Sequence, residues 1–218
     1  MCRFYGEGEN MAPKVSEEYK RQKKAELLRA AKQVFIKKGY TNATMQDILE
    51  EAGVSRGALY AYFDNLEHVY IELLRHEDQQ DILSFTPDDE LTSWQQFTSW
   101  LDKQRMQIKQ IDQSLLVANS EFFLSVKENK SGYPYITDRY QRLVEVFIAF
   151  VQAGAERGDL APRFPADSIA RFLISFIDGL MLDTAHLGQD NTDVDEQCDL
   201  LLFSLKEMLR PVAAEEKP

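Results

Sequence analysis

The sequence predicts an all-α fold of about nine helices, and three observations carry that prediction. Apolar residues recur at intervals of three and four along most of the chain, and no stretch alternates apolar and polar residues as a half-buried strand would. Glycines that stop helices and Ser, Thr or Asn residues that start them fall between the apolar runs. With 44% hydrophobic and 11% aromatic residues in a length of 218, the chain has ample material for a packed core.

The first helix is expected over Glu18 to Lys38, where Leu27, Leu28, Ala31, Val34, Phe35 and Ile36 share helical spacing and Gly39 supplies the C-cap. Thr44 is the N-cap of a short second helix, MQDILEEA, reinforced by Asp47 three residues on and closed by Gly53. Ser55 caps the next run, RGALYAYF, and Asp64 or Asn65 opens LEHVYIELLRHEDQQDILSF. Pro87–Glu90 is a polar break and the expected linker. After it come longer amphipathic runs beginning at Ser93, at Ser114, at Ile136 beyond the break SGYPY, at Ser168, and at Asp193. The last of these ends at Pro211.

Composition narrows the function classes. No apolar run approaches the roughly 18–20 residues that span a bilayer, and MCRFYGEGEN is too polar for a secretory signal, so cytoplasmic residence is expected. Residues 1–10 differ in character from the rest of the chain, and Met11 reads as an ordinary start. Cys2 and Cys198 lack the spacing of a zinc site or redox pair, and His68, His76 and His186 are scattered. No metal, no cofactor and no catalytic set is therefore expected. The net charge of −11 is unevenly spread: residues 1–75 carry 12 Lys+Arg against 11 Asp+Glu, while the remainder carries 13 against 25. Within residues 12–38 nine basic residues face three acidic ones, a local density suited to phosphate.

Residues 44–63, TMQDILEEAGVSRGALYAYF, have the pattern of a helix-turn-helix: a short helix, a tight turn and a second short helix. In the second helix Leu59 and Phe63 share one face with Val54 beneath, which marks that face as buried. Arg56 and Tyr60 share the opposite face, and Gly57 and Ala61 leave a side with little bulk on which a phosphodiester backbone fits closely. An Arg guanidinium on such a face suits guanine O6/N7 or a phosphate.

Together with FIKKGY (35–40), Thr44, DI (47–48), EAGVSRGALYAYF (51–63) and the pair Glu67 and Tyr70, this region resembles the TetR family of bacterial transcriptional regulators over residues 20–75. The resemblance implies a DNA-binding regulator, by family habit a repressor, released from palindromic double-stranded operator DNA by a small-molecule effector. It implies base-edge or nearby contacts from Gln46, Arg56, Gly57 and Ala58, and phosphate contacts from Thr44, Tyr60 and Tyr62. Leu66 stands where the family pattern usually has a phosphate-gripping lysine, and Leu49 where a small residue is common. Lys20, Arg21, Lys23 and Lys24 are the candidate replacements, as an N-terminal arm. The alternative reading is a helical ligand-binding or interaction protein without operator-specific DNA binding.

The expected organisation is an extension over 1–17, a DNA-binding domain over 18–64, a connecting helix over 65–85, a ligand-binding and dimerisation domain over 86–211, and a disordered tail over 212–218. By the resemblance, the last two long helices pair with their symmetry mates in a homodimer. Ile169, Phe172, Phe176, Leu180, Leu201, Leu205 and Met208 are the candidate interface, and Phe203 adds to an apolar surface larger than one core stripe needs. The candidate effector pocket draws on Trp100, Met106, Phe122, Tyr140 and Phe147 for bulk, and on Glu121 or Asp178 to complement a cationic centre.

Overall fold

The computed structural model describes residues 16–86, 88, 90–129 and 133–212. The expectations for residues 1–15 and for the tail beyond residue 212 lie outside the described residues. Nine α-helices appear among the described residues: α1 (Glu17–Lys38), α2 (Met45–Ala52), α3 (Arg56–Tyr60), α4 (Leu66–Ser84), α5 (Ser93–Lys109), α6 (Leu116–Asn129), α7 (Tyr133–Glu156), α8 (Ala166–Leu187) and α9 (Val194–Leu209). The only β pairing among them is one isolated bridge between Leu160 and Pro211.

The caps explain the short elements. Thr44 accepts the Asp47 N–H, and Asp47 returns a bond to the Thr44 N–H, so that the two form a capping box for α2. Gly53 ends α2 in the left-handed region, at φ 62°, which glycine enters without steric cost. Ser55 caps α3 by accepting the Ala58 N–H, and Asn65 caps α4 by accepting the His68 N–H. Several boundaries differ from expectation, among them the start of the eighth helix at Ala166 rather than Ser168. The third helix is only five residues long, because the chain turns at Ala61 and Tyr62 to bring Phe63 back under Leu59. The sixth starts at Leu116, after a 3-10 turn at Ile111–Gln113. The seventh starts at Tyr133 rather than Ile136, since Pro134 is compatible with a first turn, where its missing N–H has no intrahelical partner to lose.

Two apolar cores result. One holds α1 to α4 together through Leu27, Phe35, Ile48, Leu59, Phe63 and Leu73. It does not stop at the linker: Leu115, Ala118 and Phe122 from the α6 region and Tyr135 of α7 are part of it. An aromatic cluster fastens this junction, with Phe35–Tyr70 centroids 4.6 Å apart, Tyr70–Phe122 4.8 Å and Tyr40–Phe122 5.0 Å. The second core gathers α5, α7, α8 and α9 around Phe97, Phe150, Leu173, Leu201 and Leu205. Beside α6, between the two cores, lies a cavity.

Candidate nucleic-acid interface and effector cavity

The candidate recognition element is α3. Leu59 and Phe63 are buried and anchor it to α1 and α4, which leaves Arg56 and Tyr60 exposed. The Arg56 guanidinium lies over the Tyr60 ring, 5.2 Å from its centroid, so the two side chains form one stacked platform. A Cβ placed at Gly57 would meet nothing within 4 Å, so this glycine is not required by the protein's own packing. Ala58 is half-buried and Tyr62 packs against the first core with its flank. Gln46 is exposed one helix away and donates to Glu50 at 2.9 Å. The Thr44 hydroxyl is engaged with Asp47, whose carboxyl is held below its usual range by hydrogen bonds from Lys38 and Thr44.

The basic arm is less available than its sequence suggests. Lys20 pairs with Glu17, Arg21 with Glu18 and Lys23 with Glu26, all on the surface of α1. Lys24 differs from these. It reaches Glu72 of α4, which also receives Arg75, and lies 6.0 Å from the Phe63 ring centroid. Burial opposes the charge on Glu72, yet the bonds from Lys24 and Arg75 bring its pKa below the ordinary value. Lys24 thus clamps α1 to α4. Leu66, at the first position of α4, packs against the core, which accounts for an apolar residue there.

The cavity is about 580 Å³, within the range of small-molecule sites. Trp100, Tyr140, Phe147 and Asp178 line it; Met106, Glu121 and Phe122 do not. Met106 is 56% exposed because it lies about 200° around α5 from Gln104, which faces the cavity. Phe122 is fully buried in the first core. Glu121 turns to the α1–α2 turn, where it accepts the Thr41 N–H at 2.8 Å. It also crowds Gly39: a Cβ there would lie 2.6 Å from the carboxylate, and Gly39 already sits at φ 72°. Sequence reasoning missed two ion pairs that line the cavity, Lys32–Glu77 and Arg139–Asp78. Their partners are 45 and 61 residues apart, so no local spacing announces them.

The expected interface residues separate into two sets. Ile169, Leu180, Leu201 and Leu205 are buried in the protomer's own core, which corrects their assignment to a dimer surface. Met208 is partly buried and packs on the same core. Phe172 is exposed, with Phe176 half-buried and 6.2 Å away, and Leu200 and Phe203 are exposed on α9. Both helices carry apolar stripes on two faces, and a 3–4 spacing does not tell the inner stripe from the outer one. Among the described residues no helix is long and apolar enough to cross a membrane, and no cluster of His, Cys, Asp or Glu is arranged to hold a metal.

This architecture agrees with the chain's relatives. Residues 27–73 match the family of bacterial regulatory proteins named for tetR, and residues 96–195 match the tetracyclin repressor-like C-terminal domain. The HTH-type transcriptional regulator YfiR of Bacillus subtilis (strain 168) is 30% identical over 208 residues, which cover 95% of this chain and all of that protein. The HTH-type transcriptional repressor BepR of Brucella suis is 25% identical over 188 residues, covering 77% of this chain and 82% of that one. In fold, a TetR transcription regulator from Haloarcula marismortui superposes with a TM-score of 0.69 at 19% identity, over 87% of this chain and 99% of its own. A helix-turn-helix anchored by a clamped α1–α4 pair, joined to a helical body of this plan and matched over 95% of the chain by YfiR, makes the chain a helix-turn-helix transcriptional regulator of the TetR family.

Proposed function

We propose that this regulator is a homodimeric repressor that binds a palindromic operator through α3 and releases it when a small molecule fills the cavity beside α6. The observation that carries the proposal is the double duty of α6. Its Asn119, Ser120 and Phe123 line the cavity, while the intervening Glu121 and Phe122 hold the DNA-binding unit. Asn119 does both, because it also accepts the Tyr70 hydroxyl at 2.6 Å. A ligand that moves α6 must therefore move the turn that carries the α2 cap. Such a ligand shifts the population towards a spacing of the two α3 helices other than the roughly 34–36 Å that two major grooves require.

Repression is supported by the name of the relative BepR, a repressor, and dimerisation by the exposed Phe172, Leu200 and Phe203 on α8 and α9. In this reading Arg56, Tyr60 and Gly57 face DNA, with Gln46 and Ala58 beside them and Thr44, Tyr62 and Lys20 near phosphates. The test is fluorescence anisotropy with duplexes tiled across the DNA upstream of the protein's own gene. One duplex should bind the wild type, and Arg56→Ala more weakly by about 1–3 kcal/mol, with two copies bound per site. No binding by any tile, and no palindrome recovered by selection from random duplexes, would sink the reading.

A further inference from the structure

The charges around the cavity do not balance, and the imbalance has one address. Among the described residues five charged side chains line it: Lys32, Arg139, Glu77, Asp78 and Asp178. Lys32 pairs with Glu77, and Arg139 holds Asp78 through three contacts of 2.7 to 3.0 Å. Each of those pairs is internally neutralised. Asp178 makes no hydrogen bond and no ion pair with a described residue; Arg139 reaches it only through space. Its carboxyl is open to solvent along the cavity side of α8, yet crowded enough by protein that burial pushes its pKa up against the pull of Arg139. The remaining walls mix neutral polar side chains, glutamines of α5 and the turn after it together with Ser114, Asn119 and Ser120, with an aromatic patch in which Phe85 is in ring contact with both Trp100 and Phe147. The Trp100 indole N–H is buried without an acceptor, a second unmet demand among the lining residues.

We propose that the cavity takes an amphipathic organic monocation, with its ammonium against Asp178 and its apolar body against Trp100, Phe85 and Phe147. Charge complementarity selects the class. An anionic ligand would meet an uncompensated carboxylate, because both lining cations are committed to their own acids. A neutral ligand can donate a hydrogen bond to Asp178 but leaves its charge uncompensated. This inference rests on the reading of the cavity as the effector site.

The test uses one scaffold with three arms: 2-(naphthyl)ethylamine, the matching naphthyl ethanol and naphthylacetate, each titrated into the full-length protein by calorimetry. The ammonium compound should bind about tenfold more tightly than the alcohol, and the carboxylate least tightly. Asp178→Asn should erase the ammonium preference while leaving the alcohol's affinity within about twofold, and Asp178→Glu should restore part of it. A circular-dichroism melt confirms that each variant is folded. Equal binding of the three arms, preference for the carboxylate, a preference unchanged in Asp178→Asn, or no binding by any arm would each overturn the assignment. Operator release is scored separately. Ammonium binding that depends on Asp178 but leaves the operator bound defeats the effector reading and keeps the ligand class. Release by an anionic or neutral ligand keeps the effector reading and defeats the class.

Discussion

Glu121, midway along α6, accepts the backbone N–H of Thr41 in the turn between α1 and α2 at 2.8 Å. The two residues are eighty positions apart, and the bond ties the turn that begins the helix-turn-helix to a helix that lines the cavity. Replacing Glu121 with Ala leaves that N–H to water and frees the turn. The expected cost to stability is small, about 1 kcal/mol, because the bond is solvent-accessible. The larger effect is on coupling. The factor by which a cavity ligand weakens operator binding should fall several-fold towards one, with ligand affinity for the DNA-free protein little changed. Anisotropy titrations with and without ligand measure it, and an unaltered coupling factor would remove Glu121 from the route.

Arg56 and Tyr60 act as one platform, so conservative changes should not be equivalent. Arg56→Ala should cost about 1–3 kcal/mol in operator binding and relax selectivity at one position of each half-site. Arg56→Lys should recover little, because an ammonium makes neither the planar stack nor the bidentate contact. Tyr60→Phe keeps the ring under Arg56 and should lose only what the hydroxyl gives.

Gly57 separates folding from DNA binding. Nothing lies within 4 Å of a Cβ there, so Gly57→Ala should leave the melting temperature unchanged or raise it through helix propensity. If DNA passes over that surface, Gly57→Leu should fold normally and lose operator affinity. A Leu variant that binds as well as wild type would place the DNA elsewhere on α3.

Much of this was legible in the sequence, for reasons that can be named. The caps at Thr44, Ser55 and Asn65 and the stop at Gly53 are local chemistry, and each appears where the residue type requires it. The buried pair Leu59 and Phe63 followed from helical spacing alone. What sequence could not supply is which of two apolar faces turns inward. Ile169 and Phe172 are three residues apart on α8, yet one is core and the other surface. The same ambiguity placed Phe122 in a cavity when it belongs to a core shared with Tyr70. Long-range pairs such as Lys24–Glu72 leave no periodic signature, so the sequence did not announce that this lysine clamps two helices in the DNA-free protein.

That distinction between lysines is measurable. Among the described residues Lys20 pairs only with the exposed Glu17 three residues away, an arrangement of little energetic weight that leaves it able to turn to DNA. Lys20→Met should reduce the slope of log affinity against log salt by about 0.9 for each protomer. Lys24→Met should leave the slope unchanged and lower the melting temperature, since it uncovers Glu72 beside Arg75 and loosens α1 from α4. The reverse pattern would mean that Lys24 leaves its clamp when DNA arrives.

Acid should loosen the helix-turn-helix through Asp47. Hydrogen bonds from Lys38 and Thr44 lower its pKa from an ordinary value of 3.8. A carboxylate depressed in the folded state contributes stability that is fully present above its unfolded pKa and is lost as pH falls through the folded one. Asp47→Asn keeps a side chain able to cap and removes the charge, so the other carboxylates titrate alike in both proteins and cancel in the comparison. The gap in melting temperature between wild type and variant should be constant from pH 7 to about 5 and close as pH drops below about 4. Because Asp47 is only half-buried and its partner Lys38 is exposed, salt reaches the pair and the gap should also narrow in high salt at pH 7. A gap that persists at low pH would assign the effect of the variant to the geometry of the cap, and the Lys38–Asp47 charge pair would then have no part in holding α2 to α1.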